Sequence, residues 1–279
     1  MFVWLASYPK SGNTLTRSML ASYFFTEDGN YDFNLLKNIL QFPEIGLFKK
    51  LGININNEKE VIKNYVRAQE LVNKKTSIQF MKTHSYLFNI DNNPFTDLNN
   101  SLGVIYIVRD PRNVLISAAN HNQKSYEEIA DDMINGNILR KKDGSKSIVY
   151  AGTWGGNFNS WKSFKTLNKY LLIKYEDLIN DKEKYFFKIL KFIHDLKKTE
   201  LVINKKKFRN VLLNTDFKSM QKLEDEKGFE ESMVNEKTGK KVRFFNLGSK
   251  TDWKNILNLE LQNKIQKNFQ KEMIELKYL

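Results

Sequence analysis

Three short apolar runs, each ended by a polar turn and followed by helical spacing, constrain this chain more than any other feature. They are Phe2 to Ser7 (FVWLAS), Gly103 to Val108 (GVIYIV) and Tyr170 to Ile173 (YLLI). Runs of that length, apolar at successive positions, suit strands buried on both faces. After the first, Leu15, Met19, Leu20 and Tyr23 recur at helical intervals. After the second a helix is expected from Pro111, and after the third one over Glu183 to Ile193. A fourth strand is expected at Ile78 to Met81 (IQFM), reached through an amphipathic helix at about Glu58 to Val72. Strands alternating with helices predict an α/β chain of three layers, a central parallel sheet flanked by helices.

No internal repeat and no low-complexity linker interrupts this order, so residues 1–279 are expected to form a single domain. A chain of 279 residues buries roughly 75% of its unfolded surface, enough for a core without metals or cross-links. Leu223 to Lys241 is mostly charged or small and lacks apolar periodicity, which predicts a loop of the kind that often serves as a lid.

Composition removes several chemistries. With no cysteine, disulfides, thiolate zinc sites, iron–sulfur clusters and a cysteine nucleophile are excluded. The opening MFVWLASYPK has no basic leader region and no run reaches membrane-spanning length, so no membrane span and a cytoplasmic location are expected. The net charge of +13, carried by 38 lysines against seven arginines, reads as a solvated lysine surface, and no nucleic-acid partner is expected.

The turn after the first strand, Tyr8-Pro9-Lys10-Ser11-Gly12-Asn13-Thr14, lies where loop N–H groups and a helix N-terminus favour an anion. Gly12 allows close approach, Lys10 adds a cation, and Ser11 and Thr14 offer hydroxyls. The usual ATP or GTP loop carries its lysine after the last glycine, whereas Lys10 precedes Ser11-Gly12. A plain surface turn would use similar residues.

The second strand ends in Arg109-Asp110-Pro111-Arg112-Asn113, with Ser117 two turns into the next helix. Ligands of open α/β sheets sit outside the carboxyl ends of the strands, where the planar fork of Arg109 suits a phosphate. The alternative is a structural salt bridge from Arg109 to Asp110 or a neighbour. The fourth strand ends in Lys82-Thr83-His84, and a histidine there suits proton abstraction, although a loop-edge structural role is the commoner one.

Taken together these segments resemble the cytosolic-type sulfotransferases, which use 3′-phosphoadenosine 5′-phosphosulfate (PAPS). Tyr8 to Leu15 is similar to the family's Y-P-K-S-G-T-T-W, with Asn13 and Leu15 as departures. Arg109 to Ser117 matches R-D-P-x-[DN]-x-x-x-S, whose arginine and serine hold the 3′-phosphate, and Lys82-Thr83-His84 matches the K-T-H that carries the catalytic histidine. Lys174-Tyr175-Glu176-Asp177-Leu178 resembles Y-E-D-L, whose tyrosine approaches the adenosine. Asn214 to Met220 resembles T-x-F-x-x-M, which would set Thr215 and Phe217 beside the adenine. Read without the family, Tyr175 is an end-of-strand aromatic and Phe217 a core residue. Asn246 to Asn255 resembles R-K-G-x-x-G-D-W-K-N and retains Gly248 and D-W-K-N, but Asn246 and Leu247 replace two cations. Weaker donor binding follows unless Arg243 or Lys250 reaches in.

The resemblance implies the P-loop-like sulfotransferase fold and PAPS as co-substrate, with Lys10, Ser11, Gly12, Asn13, Thr14, Leu15, Arg109, Ser117, Tyr175, Thr215, Phe217 and Gly248 binding it. It also implies His84 as base, Lys10 and Lys82 offsetting charge on the transferred group, and adenosine 3′,5′-bisphosphate as product. His121 and His194 have no family match and are assigned to packing or surface. The likeness runs from Tyr8 to Asn255 and is thinnest over 28–75 and 120–169, where an acceptor pocket would be built. The acceptor is a small molecule, lipid or carbohydrate. Two rivals stay open: a nucleotide-dependent kinase, and a non-catalytic nucleotide- or nucleic-acid-binding protein.

Overall fold

The computed structural model describes residues 1–74, 77–140, 148–235, 238–248 and 251–279. Its centre is a five-stranded parallel sheet: β1 (Phe2–Ser7), β2 (Leu40–Gln41), β3 (Gln79–Thr83), β4 (Ser101–Val108) and β5 (Tyr170–Lys174), in the order β2-β3-β1-β4-β5. β1 is the middle strand, with Trp4 opposite Met81 on one side and Val104 on the other. All six of its residues are buried, as a strand covered on both faces must be.

Alternation along β1 divides the core. Phe2, Trp4 and Ala6 join Phe42, Phe95, Tyr106 and Trp161 on one face, while Val3 and Leu5 join Met19, Ile105, Ile107 and Phe186 on the other. The second face is closed by α1 (Asn13–Phe25), α4 (Lys182–Lys197) and α5 (Lys205–Asn214), the first by α2 (Pro111–Asn122) and helices at Trp154–Ser160 and Leu259–Asn268. Two shorter pieces follow strand ends or helices near the site: α3 (Tyr175–Asn180) and α6 (Phe217–Lys227).

Two expectations need adjustment, and one strand was not anticipated. The helix expected over 58–72 is two short helices, Glu58–Lys63 and Tyr65–Glu70, parted at Asn64. The Asn64 side chain donates back to the Glu60 carbonyl at 2.8 Å, a local bond that competes with helix continuation. Residues 223–227, expected in a loop, complete α6, which starts on an Asp216 cap that accepts from Lys218 and Ser219 N–H. Capping and the burial of Met220 and Glu224 stand in for the missing apolar periodicity. β2, two residues long, gave no sequence signal. Among the described residues no helix is long and apolar enough to cross a membrane.

Candidate active site at the carboxyl ends of the strands

Because the strands are parallel, the segments leaving β1, β3, β4 and β5 emerge at one edge of the sheet. Residues 8–12 leave β1, His84 leaves β3, Arg109 leaves β4 and Tyr175 leaves β5. Residues as far apart in sequence as Lys10 and Arg109 thereby meet: the Arg109 guanidinium donates to the Lys10 carbonyl at 3.3 Å.

The loop is shaped by two backbone positions in the left-handed region, Lys10 (φ 64°) and Gly12 (φ 101°). Gly12 caps α1, and any Cβ there would strike the Tyr175 ring. Tyr175 in turn lies under Arg109, whose Cζ is 4.5 Å from the ring centroid. The Ser11 hydroxyl and Arg109 Nε are buried and have no hydrogen-bond partner, which a well-packed protein tolerates where a ligand supplies one. A loop with room only for glycine at position 12, with two orphaned donors on Ser11 and Arg109, fits a phosphate-bearing molecule.

Asp110 does not compete for Arg109. It accepts from Arg112 N and Nε at 3.0 and 2.9 Å and pairs with Arg112 Nη2 at 2.7 Å, capping α2. The Asp110 N–H is fixed by Glu176 at 3.0 Å, so the acid after Tyr175 holds the turn that presents Arg109. Trp253 of the D-W-K-N segment covers the Arg112 guanidinium at 3.7 Å.

His84 directs Nδ1 at the Ser7 carbonyl, 3.0 Å away, and at the Ser7 hydroxyl, 3.2 Å away. A carbonyl only accepts, so Nδ1 carries the proton and Nε2 keeps its lone pair. Burial, with the Lys82 charge adding to it, lowers the His84 pKa to about 3, below the near-neutral value expected of it. The ring is neutral in this state. Its backbone carbonyl is held by Asn157 at 2.9 Å, and the next carbonyl, Ser85, by Trp161 Nε1 at 3.1 Å.

Burial also lowers Lys10 to about 7, opposed by Glu231 and assisted by Arg109 and Lys82; its Nζ sits 3.7 Å from the Phe244 ring centroid. Two site residues carried no sequence signal as a pair. Arg17, one helical turn after Thr14, bonds the Thr14 hydroxyl at 3.1 Å and Glu231 at 2.7 Å, and Lys82 meets the same carboxylate at 3.2 Å. Burial works against the Glu231 charge, yet Lys82 and Arg17 hold its carboxyl well below the usual carboxylate range. Spacing to Thr14 could have flagged Arg17; nothing local marks Glu231.

The remaining expected residues divide. Asn13 donates to the Leu5 carbonyl and the Ser7 hydroxyl at 2.9 and 3.2 Å, locking the loop onto β1. Leu15 packs with the α1 side of the core, and Ser117 is half-buried on α2. The Thr215 hydroxyl is spent on the Val211 carbonyl at 2.7 Å, and Phe217 lies against Gly248, where a Cβ would clash with its ring. Leu247 packs against the core and Asn246 is exposed, so neither position is a vacant cation site. Arg243 is paired with Asp225 at the surface and does not replace the lost cations; Lys250 lies outside the described residues. His194 is bound to Thr199 at 3.0 Å, and His121 packs beside the site. Its ring stands edge-on to Phe244, and burial together with the nearby Lys10 lowers its pKa to about 3.

A groove lined by Leu87, Phe88, Thr96, Leu98, Phe164 and Leu167 lies elsewhere. Leu98 and Leu167 immediately precede β4 and β5, at the opposite edge of the sheet from His84.

Comparison with known proteins bears on the family and the fold. Sulfotransferase 1E1 of Homo sapiens is 23% identical over 287 aligned residues, covering 97% of this chain and 83% of its own length. The amine sulfotransferase of Oryctolagus cuniculus is 22% identical over 274 residues, covering 97% of this chain and 80% of its own. A crystal structure of mouse sulfotransferase SULT7A1 complexed with PAP shares the fold, with a TM-score of 0.61 at 17% identity over 98% of this chain and 84% of that one. The family model described as the sulfotransferase domain matches residues 2–277, and the chain belongs to that family.

Proposed function

We propose that this chain, acting as a single domain, transfers a sulfuryl group from PAPS to a hydroxyl or amine of a small-molecule acceptor. The observation that carries the reading is the meeting of the Lys10 loop and Arg109 within one hydrogen bond, with the His84 lone pair on the adjoining strand end. Lys10, Ser11 and Thr14 bind the 5′ end of the nucleotide, while Arg109 and Ser117 take the 3′-phosphate. Tyr175 supports Arg109 and borders the adenosine. Bound PAPS supplies an already activated sulfuryl group and a good leaving group. His84 Nε2 accepts the acceptor proton as the new S–O or S–N bond forms, and Lys10 and Lys82 offset charge on the sulfuryl oxygens and the departing phosphate. Anionic charge from the donor raises the His84 pKa from its low ligand-free value toward one useful for a base.

A thermal-shift titration with adenosine 3′,5′-bisphosphate tests the donor assignment. At a hundred times its Kd, binding adds about 2.7 kcal/mol and should raise the midpoint by roughly 5 °C or more. ATP with magnesium, giving the larger shift, would move the reading to the kinase. His84→Ala should cut turnover by about two to four orders of magnitude with bisphosphate affinity nearly unchanged. An unaltered rate removes His84 from the chemistry.

A further inference from the structure

The segment that follows α6 places a carboxylate where the phosphate site expects its ligand. Glu231 accepts from the Thr14 hydroxyl at 3.2 Å, from Arg17 Nη2 through both oxygens at 2.7 and 2.9 Å, and from Lys82 Nζ at 3.2 Å. Its side chain is 30% exposed, against 5% for Arg17 and 9% for Lys82, so the carboxylate is the outer member of the cluster. Thirteen residues later in the same segment, Phe244 covers Lys10. The two limbs are tied to each other by Val242 N–H on the Met233 carbonyl at 2.7 Å. Both limbs are also tied to α6 by Glu224, which accepts from the Ser232 hydroxyl and from the N–H groups of Phe244 and Phe245. Glu231 and Phe244 are therefore two teeth of one docked hairpin.

We propose that Glu231 is a built-in anion that fills the phosphate site of the ligand-free chain and must be expelled for the donor to bind. The proposal rests on the assignment of that site to the donor's 5′-phosphosulfate. A carboxylate and a phosphosulfate cannot share the Thr14, Arg17 and Lys82 donors, since two anions a few ångströms apart repel. The free chain is thus divided between a plugged form and a competent one, and the apparent donor affinity is lowered by the competent fraction. In exchange, Arg17 and Lys82 are never left buried without a counter-charge.

Glu231→Gln keeps the shape and removes the charge. Titration calorimetry with adenosine 3′,5′-bisphosphate and with inorganic pyrophosphate should show both anions bound about ten-fold or more tightly by this variant than by the wild type. Glu230→Gln, which breaks only the exposed pair with Lys37, should leave both affinities unchanged. Hydrogen exchange of the wild-type chain gives a reading that needs no variant: residues 229–233 should exchange faster once the bisphosphate is added. Affinities in Glu231→Gln that are equal to or weaker than wild type, or protection of 229–233 that stays constant or rises with ligand, overturn the plug. Pyrophosphate tightening in a protein that ignores the bisphosphate would sink the nucleotide assignment and leave the plug standing.

Discussion

Gly12→Ala probes the joint between the Lys10 loop and the start of α3. Gly12 has φ 101°, where an L side chain costs about 1–3 kcal/mol. The new methyl would also press into Tyr175 Cδ2, with Cε2 and Cγ only 3.1 and 3.3 Å away. Relieving that contact requires the ring to withdraw by on the order of 1 Å, against the Arg109 guanidinium stacked 4.5 Å from its centroid. Overpacking of this kind costs a further 1–3 kcal/mol or so, giving about 2–6 kcal/mol in all. Urea denaturation of Gly12→Ala, Tyr175→Ala and the double variant separates the two parts. Removing the ring relieves the clash and leaves the backbone strain, so the cycle should return a coupling energy of about 1–3 kcal/mol. A coupling of zero would refute the claim that Tyr175 is what restricts position 12.

Two pH experiments follow from the buried titrating groups. His84 and His121 both have folded pKa values depressed to about 3, so the unfolded chain binds their protons first and stability is lost as pH falls below the unfolded value near 6.5. Between pH 6.5 and 5 each should cost about 2 kcal/mol in denaturation experiments, and His121→Gln should reduce the loss by about one histidine's share. A profile flat in that window would show the rings to be hydrated. Lys10, lowered to about 7 when ligand-free, is mostly neutral at pH 8 and should regain its proton beside a bound phosphate. Calorimetry in two buffers of different ionisation enthalpy should then report uptake of about one proton, abolished in Lys10→Arg because arginine stays charged. Equal uptake by the variant would place the proton elsewhere.

What was legible in the sequence was whatever depends on neighbours along the chain. FVWLAS and GVIYIV read as strands because burial on both faces leaves no polar alternation, and Lys10 to Thr14 reads as an anion loop because all its parts are contiguous. Glu231 lies 217 residues from Thr14 and occurs in a charged stretch with no period, so only the folded contact gives it meaning. The loss of the family's cation at position 247 was legible in the sequence, but that Leu247 packs against the core was not. α6 went unread because its cap and two buried residues hold it in place of an apolar stripe.

The middle position of β1 has a consequence for biosynthesis. Its hydrogen-bonding partners are residues 79–83 on one side and 101–107 on the other, so an apolar strand is not paired on both edges until about a hundred further residues have been translated. At about 5–20 residues per second that is an interval of roughly 5–20 s. During it FVWLAS is an apolar ribbon on the nascent chain with backbone donors and acceptors still unpaired.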